Sequence, residues 1–227
     1  MINDHTMAPN DVILLEADNK HYDFVANIKD QYEAILIHNK QRIKLNVLKI
    51  LTGEVVTQVL LKPSNSLTIG ATYKLKILGL YSSKQELLKD YNYLTKNHQP
   101  PLWVVKNKTE DNIAPKWLQK PKLIESINSP ASGGYEFMWA NFEVKTIDQS
   151  QVFFETEVVD LLTGKIQKLF LTTDHFGKLM VGSGKCAGLI FYEPNRKYKV
   201  RFKPMDMCGN YGEVSDWITF DSPVIEK

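Results

Sequence analysis

In "TYKLKIL", Thr72 to Leu78, and in "KYKVRFK", Lys197 to Lys203, a Tyr, a Leu or Val, and an Ile or Phe alternate with Lys or Arg. A period of two is that of a strand with one face on a core and the other in water. Strand-like runs of this kind predict elements in the first half at Val12–Glu16, Tyr22–Ile28, Glu33–His38, Ile43–Leu51, Val55–Leu61, Tyr73–Leu78 and Leu102–Lys106. In the second half they predict Leu123–Glu125, Tyr135–Val144, Val152–Leu161, Ile166–Thr172, Gly188–Tyr192, Tyr198–Lys203 and Trp217–Asp221. About seven short strands per half, with turn signals between them, is the pattern of a β-sandwich. One stretch breaks it. "SKQELLKDYNYLTKN" has Ser83 and Glu86 in capping-box spacing and Leu87, Tyr91 and Leu94 on one stripe, which predicts a short helix inserted over 83–97.

The two halves echo each other. "ILTGEVVTQVLL" (Ile50–Leu61) answers "LLTGKIQKLFL" (Leu161–Leu171), "YDFVANI" (Tyr22–Ile28) answers "YEFMWANF" (Tyr135–Phe142), and Trp103 answers Trp217. Together with the two Tyr strands, these pairs predict a duplicated β unit. The domains are expected at 1–110 and 122–227. The charged "KTEDNIAPKWLQKP", with Pro115 and Pro121, is expected to serve as a stiff link over 111–121, with Trp117 wedged between the domains.

Composition narrows the class without changing the picture. A chain of 227 residues, 43% hydrophobic and 24% charged, can bury a sizeable core. Its net charge of +2 gives no long-range field toward a polyanion. The apolar runs are strand-length, short of the roughly 18 residues that a spanning helix needs. "MINDHTMAPNDVILLEADNK" has no basic n-region and no signal-length apolar run, so export by the general route is not expected. Cys186 and Cys208 are too few for a disulfide framework and are expected as thiols.

Several polar clusters carry residue types used in catalysis or metal binding. "MVGSGKC" has Leu179 where a phosphate loop needs glycine and Cys186 where it needs a hydroxyl, which excludes that loop. Thr173, Asp174, His175 and Ser183 crowd into one stretch without a nucleophile elbow, so Asp174–Ala187 is expected as a solvated, glycine-rich loop. His5, His21, His38, His98 and His175 stand singly, without metal-ligand spacing. Glu155 with Glu157, and Asp216 with Asp221, are expected as hydrated carboxylates on outward strand faces. Asp206 and Asn210 of "DMCGN" offer too few oxygens for a tight calcium site. The basic stripes Lys74, Lys76 and Lys199, Arg201, Lys203 interleave with aromatics that point to the opposite face, so a solvated face is expected in place of a stacking platform.

"YEPNRKYKVRFKPMDMCGNYGEVSDWITF" resembles the second half of a fibronectin type III domain. Pro194 leads to the strand-opening Tyr198, and Asp206, Gly209, Asn210 and Ser215 precede the last strand, while Trp139 resembles the Trp of the family's second strand. "LTIGATYKLKI" keeps Leu67 and Tyr73 but lacks the Trp and the Gly-Asn corner. The resemblance implies an all-β chain of two tandem fibronectin type III or immunoglobulin-like sandwiches. Similar domains occur in phage capsid decoration, connector and tail proteins, which leave the cell by lysis and need no leader. A non-enzymatic virion structural or adaptor protein is therefore expected. The alternative is a secreted or surface-anchored module that binds glycans or spaces other domains. Expected partners are other structural proteins of a large assembly, with a homo-oligomer admitted. Nucleic acid, membrane, small-molecule substrate, cofactor, metal and catalytic residues are not expected.

Overall fold

The computed structural model describes residues 6–18, 23–54, 56–81, 90–92, 97–99, 102–107, 111–130, 136–183 and 190–223. The chain is almost all β. Among the described residues no helix is long and apolar enough to cross a membrane. Two compact units divide the chain: Met1–Ile50 with Thr57–Asp111, and Leu51–Val56 with Asn112–Lys227.

The first unit carries β1 (Thr6–Met7), β2 (Ile13–Asp18), a 3-10 turn at Asp23–Val25, β3 (Glu33–His38), β4 (Gln41–Thr52), β5 (Val56–Pro63), β6 (Thr72–Leu78), β7 (Asp90–Asn92), β8 (Asn97–Gln99) and β9 (Leu102–Val105), except that Leu51 and Thr52 of β4 and Val56 of β5 fall in the second unit. These form a seven-stranded sheet in the order β1-β9-β6-β3-β4-β5-β2, with β7 and β8 as a separate pair. Where two separate sheets are expected, one hydrogen-bonded sheet is found. The long β4 is the neighbour of both β3 and β5, so no break separates two layers. Its buried face gathers Leu36, Ile43, Leu45, Val59, Leu61, Tyr73, Leu75, Ile77 and Trp103.

Two expectations change here. The expected strand Tyr22–Ile28 is not found: Asp23–Val25 is a 3-10 turn and 26–28 are turn residues, while Tyr22 lies outside the described residues. Of the expected helix over 83–97, Asp90–Asn92 and Asn97 are strand residues, with Tyr91 opposite His98. The remainder lies outside the described residues. Asn and Tyr are weak helix formers and Tyr favours strands, which outweighs the capping signal at this end.

The second unit carries β10 (Lys116–Pro130), β11 (Glu136–Ile147), β12 (Phe153–Asp160), β13 (Ile166–Leu171), β14 (Lys178–Ser183), β15 (Lys197–Met205) and β16 (Ile218–Asp221). They pair as β10-β11-β14 and β13-β12-β15-β16. A core of Phe142, Phe154, Val158, Leu169, Leu179, Val181, Tyr192, Tyr198, Val200, Phe202 and Phe220 fills this unit. Phe142 meets Phe202 edge-on at 5.2 Å and Phe220 at 5.7 Å between centroids, the geometry that aromatic quadrupoles favour.

The expected link 111–121 holds the start of β10, which pairs with β11 from Lys116 opposite Ile147 onward. Pro121 is accommodated where the register shifts between Gln119 and Lys122. That is where a ladder tolerates a missing N–H. Trp117 belongs to this strand. Its Nε1 donates to the Glu213 carbonyl at 2.8 Å and its ring packs on Phe154. The fifth strand of the unit is β14, where Leu179 and Val181 are buried and Met180 between them is exposed; of the expected strand Gly188–Tyr192, residues 190–192 are outside any strand and 188–189 lie outside the described residues.

The two Thr-Gly corners are not equivalent. Thr52-Gly53 joins β4 to β5, whereas Thr163-Gly164 joins β12 to β13, one connection earlier. The equivalence that holds is the Tyr strand. The Tyr73 hydroxyl accepts the Thr68 N–H at 3.2 Å, and the Tyr198 hydroxyl accepts the Glu193 N–H at 2.8 Å, each from five residues upstream. Both side chains are fully buried. Replacing Tyr198 with Phe keeps the ring and leaves the Glu193 N–H without its acceptor, an expected loss of about 1–3 kcal/mol. Tyr73→Phe is expected to cost less, its bond being longer. Urea unfolding of each variant at neutral pH checks both values, and equal stability of Tyr198→Phe and wild type would remove the hydroxyl from this role.

Candidate functional site

In the second unit, register decides which side chains meet on the face of the four-stranded sheet turned away from the core. Glu157 of β12 lies opposite Arg201 of β15 on one side and Lys168 of β13 on the other. Arg201 donates to Glu157 Oε2 from Nε at 3.0 Å and from Nη2 at 2.7 Å, and the Lys168 ammonium lies 3.4 Å from the same oxygen. Burial alone pushes the Glu157 carboxyl up, but Arg201 and Lys168 together hold it below the ordinary carboxylate range. Glu157 is thus a half-buried, neutralised centre and not the hydrated carboxylate expected.

Aromatic rings join this face from outside β15. Trp217, just before β16, has the Lys199 ammonium 4.6 Å and the Arg201 guanidinium 4.4 Å from its ring centroid. Tyr211 has Lys203 at 4.5 Å. The interleaved Tyr198 and Phe202 are buried on the opposite face, but the cations do not form the plainly solvated face expected, because other rings reach them from a neighbouring segment. Each ring already has a cation over it, a packed ladder.

The matching face of the first unit is built differently. Ile35 of β3 lies opposite Lys76 of β6 on one side and Lys44 of β4 on the other, and Ile37 lies in the same way between Lys74 and Arg42. Aligned on Tyr73 and Tyr198, Ile35 occupies the place of Glu157, between the counterparts of Arg201 and Lys168. Arg42, Lys44, Lys74 and Lys76 are all exposed, while Ile35 is 4% exposed. Lys44 reaches Glu33 at 3.5 Å. Among the described residues no carboxylate pairs with Arg42, Lys74 or Lys76. Leu102 and Val104 of β9 extend the face with exposed apolar surface.

The other singled-out residues fall apart or into structural roles. The expected loop Asp174–Ala187 is in good part β14, whose apolar alternation earns it a place in the core. Gly182 there has φ +153, and a Cβ would stand 1.9 Å from the Met138 carbonyl oxygen. Residues 184–189, with Cys186, lie outside the described residues. The Asp174 carboxylate accepts the N–H groups of Phe176 and Lys178, each at 2.8 Å, and His175 stacks on Phe176. Ser183 sits at the far end of β14, roughly 17 Å along the strand from Lys178, so no triad assembles from these residues. His38 Nδ1 lies 2.9 Å from the Thr72 carbonyl, against the Tyr73 ring.

Asp216 and Asp221 pair separately, with Lys120 and Lys197. Asp206 is buried, and its carboxylate takes the Asn210 N–H at 2.8 Å and Nδ2 at 2.7 Å, closing the Gly-Asn corner. An Asp148 oxygen lies within 4.8 Å of it. Asp148 in turn accepts from the Ser150 N–H and hydroxyl, so both carboxylates are turn-forming groups. Cys208 is a buried thiol.

No family model and no curated protein matches this chain. Solved structures that overlay on it include a cytokine receptor complex, at 10% identity and TM-score 0.29, covering 94% of this chain and 97% of that one. They also include the type I pullulanase from Bacillus subtilis in complex with maltose, at 8% identity and TM-score 0.27, covering 93% of this chain. A pullulanase from Anoxybacillus sp. LM18-11 overlays at 9% identity and TM-score 0.27, again over 93% of this chain. The chain spans 23% and 27% of the two pullulanases. Overlays this loose carry no argument about fold or activity.

Replacing Glu157 with Gln removes the charge between Arg201 and Lys168. A carboxyl held below its ordinary pKa in the folded state contributes stability above that ordinary value, and the contribution fades as pH falls through the depressed one. Glu157→Gln is therefore expected to cost about 1–3 kcal/mol at neutral pH and much less in acid. Denaturant unfolding at both pH values checks the sign, and a pH-independent difference would show that packing and not charge is at stake.

Proposed function

We propose that the chain is a non-enzymatic structural or adaptor protein that works by presenting the outer faces of rigid β units to partner proteins. The observation that carries this reading is the arrangement of the second unit. Three strands pair as β10-β11-β14 and four as β13-β12-β15-β16, around a single core, and a buried Tyr opens the penultimate strand. A three-stranded and a four-stranded sheet over one core support reading this unit as a fibronectin type III or immunoglobulin-like sandwich, and the first unit repeats its Tyr corner on a single sheet. A sandwich of this kind supplies scaffold and surface, and its function resides in the side chains set on it.

The assembly we assign it to is a bacteriophage virion, as a capsid decoration, connector or tail component. The support is the resemblance of "YEPNRKYKVRFKPMDMCGNYGEVSDWITF" to domains found in such proteins. Mass spectrometry of purified particles from the source replicon is expected to find the chain at a stoichiometry comparable with known structural proteins. Its absence from particles, together with recovery from the cell envelope or medium, would replace the virion reading with that of a surface or secreted module.

A further inference from the structure

We infer that the outer face of β4, β3 and β6 in the first unit is a docking surface for an acidic protein partner, which places a carboxylate over Ile35 between Lys44 and Lys76. This deepens the reading of the chain as an adaptor and rests on it. The argument begins with what the second unit does at the same positions. There the central residue is Glu157, and it neutralises Arg201 on one side and Lys168 on the other. In the first unit the flanking cations are retained and the carboxylate is replaced by Ile35. Arg42 and Lys74, flanking Ile37 in the next row, add two more positive charges.

Protection of a sheet edge does not explain these cations. Charged residues guard edge strands against pairing with other chains, but β4, β3 and β6 are interior strands in the order β1-β9-β6-β3-β4-β5-β2. Nor is the face merely hydrated. Ile35, in register between the lysines, is buried, and Leu102 and Val104 lie exposed beside the cations. Across two strand spacings the backbones at Lys44 and Lys76 stand about 10 Å apart, and the flexible lysine stems can bring both ammonium groups onto one inserted carboxylate. Apolar centres flanked by cations fit a partner that brings both carboxylates and apolar side chains. A phosphate or sulfate polymer supplies only the charge, and the aromatic platform used for single-stranded nucleic acid has no counterpart on these three strands.

The test is an amide chemical-shift titration of the full chain with a synthetic peptide alternating Glu and Leu, run in parallel with poly-glutamate, heparin and a DNA duplex. The expected result is a set of shifts confined to β3, β4 and β6 with the Glu-Leu peptide, weaker with poly-glutamate. Replacing both exposed lysines, Lys44→Gln with Lys76→Gln, is expected to weaken peptide affinity about tenfold, and Lys168→Gln in the second unit to leave it unchanged. Ile35→Glu, which writes the second unit's carboxylate into the first, is expected to weaken it as well, provided the variant's spectrum stays dispersed; the double Gln variant carries the test if it does not. Heparin or duplex binding as tight as the peptide would overturn the proposal in favour of a general polyanion surface. Shifts elsewhere, or none, would also overturn it. A protein found in particles but silent here keeps its virion role and loses this surface, whereas shifts on this face in a protein absent from particles do the reverse.

Discussion

A buried tyrosine hydroxyl that accepts an N–H from the preceding loop fixes where β6 and β15 begin, and much else on the two units follows from that start. Side chains alternate strictly along a strand, so a slip of one residue sends every inward residue outward. In β15 such a slip would drive Lys199, Arg201 and Lys203 into the core now filled by Val200 and Phe202. Burying a charge without a partner costs far more than a hydrogen bond returns. The corner and the alternation therefore enforce each other. Phe220 stacks against Tyr198 and Tyr192 from the adjacent strand, so the same ring that closes the corner also ties β16 to the core.

Once register is fixed, cross-strand neighbours are fixed too, and these decide what each face can do. Glu157 meets both Arg201 and Lys168 because β12 lies between β15 and β13. Ile35 meets Lys76 and Lys44 because β3 lies between β6 and β4. The backbone relations are alike, and the chemistry of the faces parts at the central residue. With Glu there, the charges are satisfied within the fold, at a desolvation cost the two cations offset. With Ile there, the central position offers the flanking cations no carboxylate, and Lys44 turns to Glu33.

The all-β character and the bounds of β3, β4, β5, β6, β12, β13 and β15 were legible to within a few residues, because period two is a local signal that survives any topology. What failed was inference from repeated words. "LTG" recurs because Gly and Thr suit a corner between strands, and any such corner can use them. The structure shows the two corners at different connections. "YDFVANI" and "YEFMWANF" share composition, but one is a 3-10 turn and the other part of β11. β14 was hidden by its glycine, since Gly182 is demanded by the close approach of the Met138 backbone and not by a flexible loop. The ladder on Trp217 was hidden for a different reason. Its ring stands just before β16 while the cations are on β15, and only the pairing of those strands brings them together.

The same limit explains why the basic stripe of β6 looked inert. Read along one strand, Lys74 and Lys76 are outward charges of the kind any solvated face carries. Their meaning depends on β3 and β4, whose residues opposite them are apolar and cationic where β12 and β13 of the second unit supply Glu157 and Lys168. Exposed cations of this kind interact through screened charge, over a Debye length of about 8 Å at physiological ionic strength. Attraction from such a face is therefore short-ranged, and it discriminates by what touches it: a carboxylate that reaches the gap above Ile35 gains both lysines at once, while a charge held off the surface gains little.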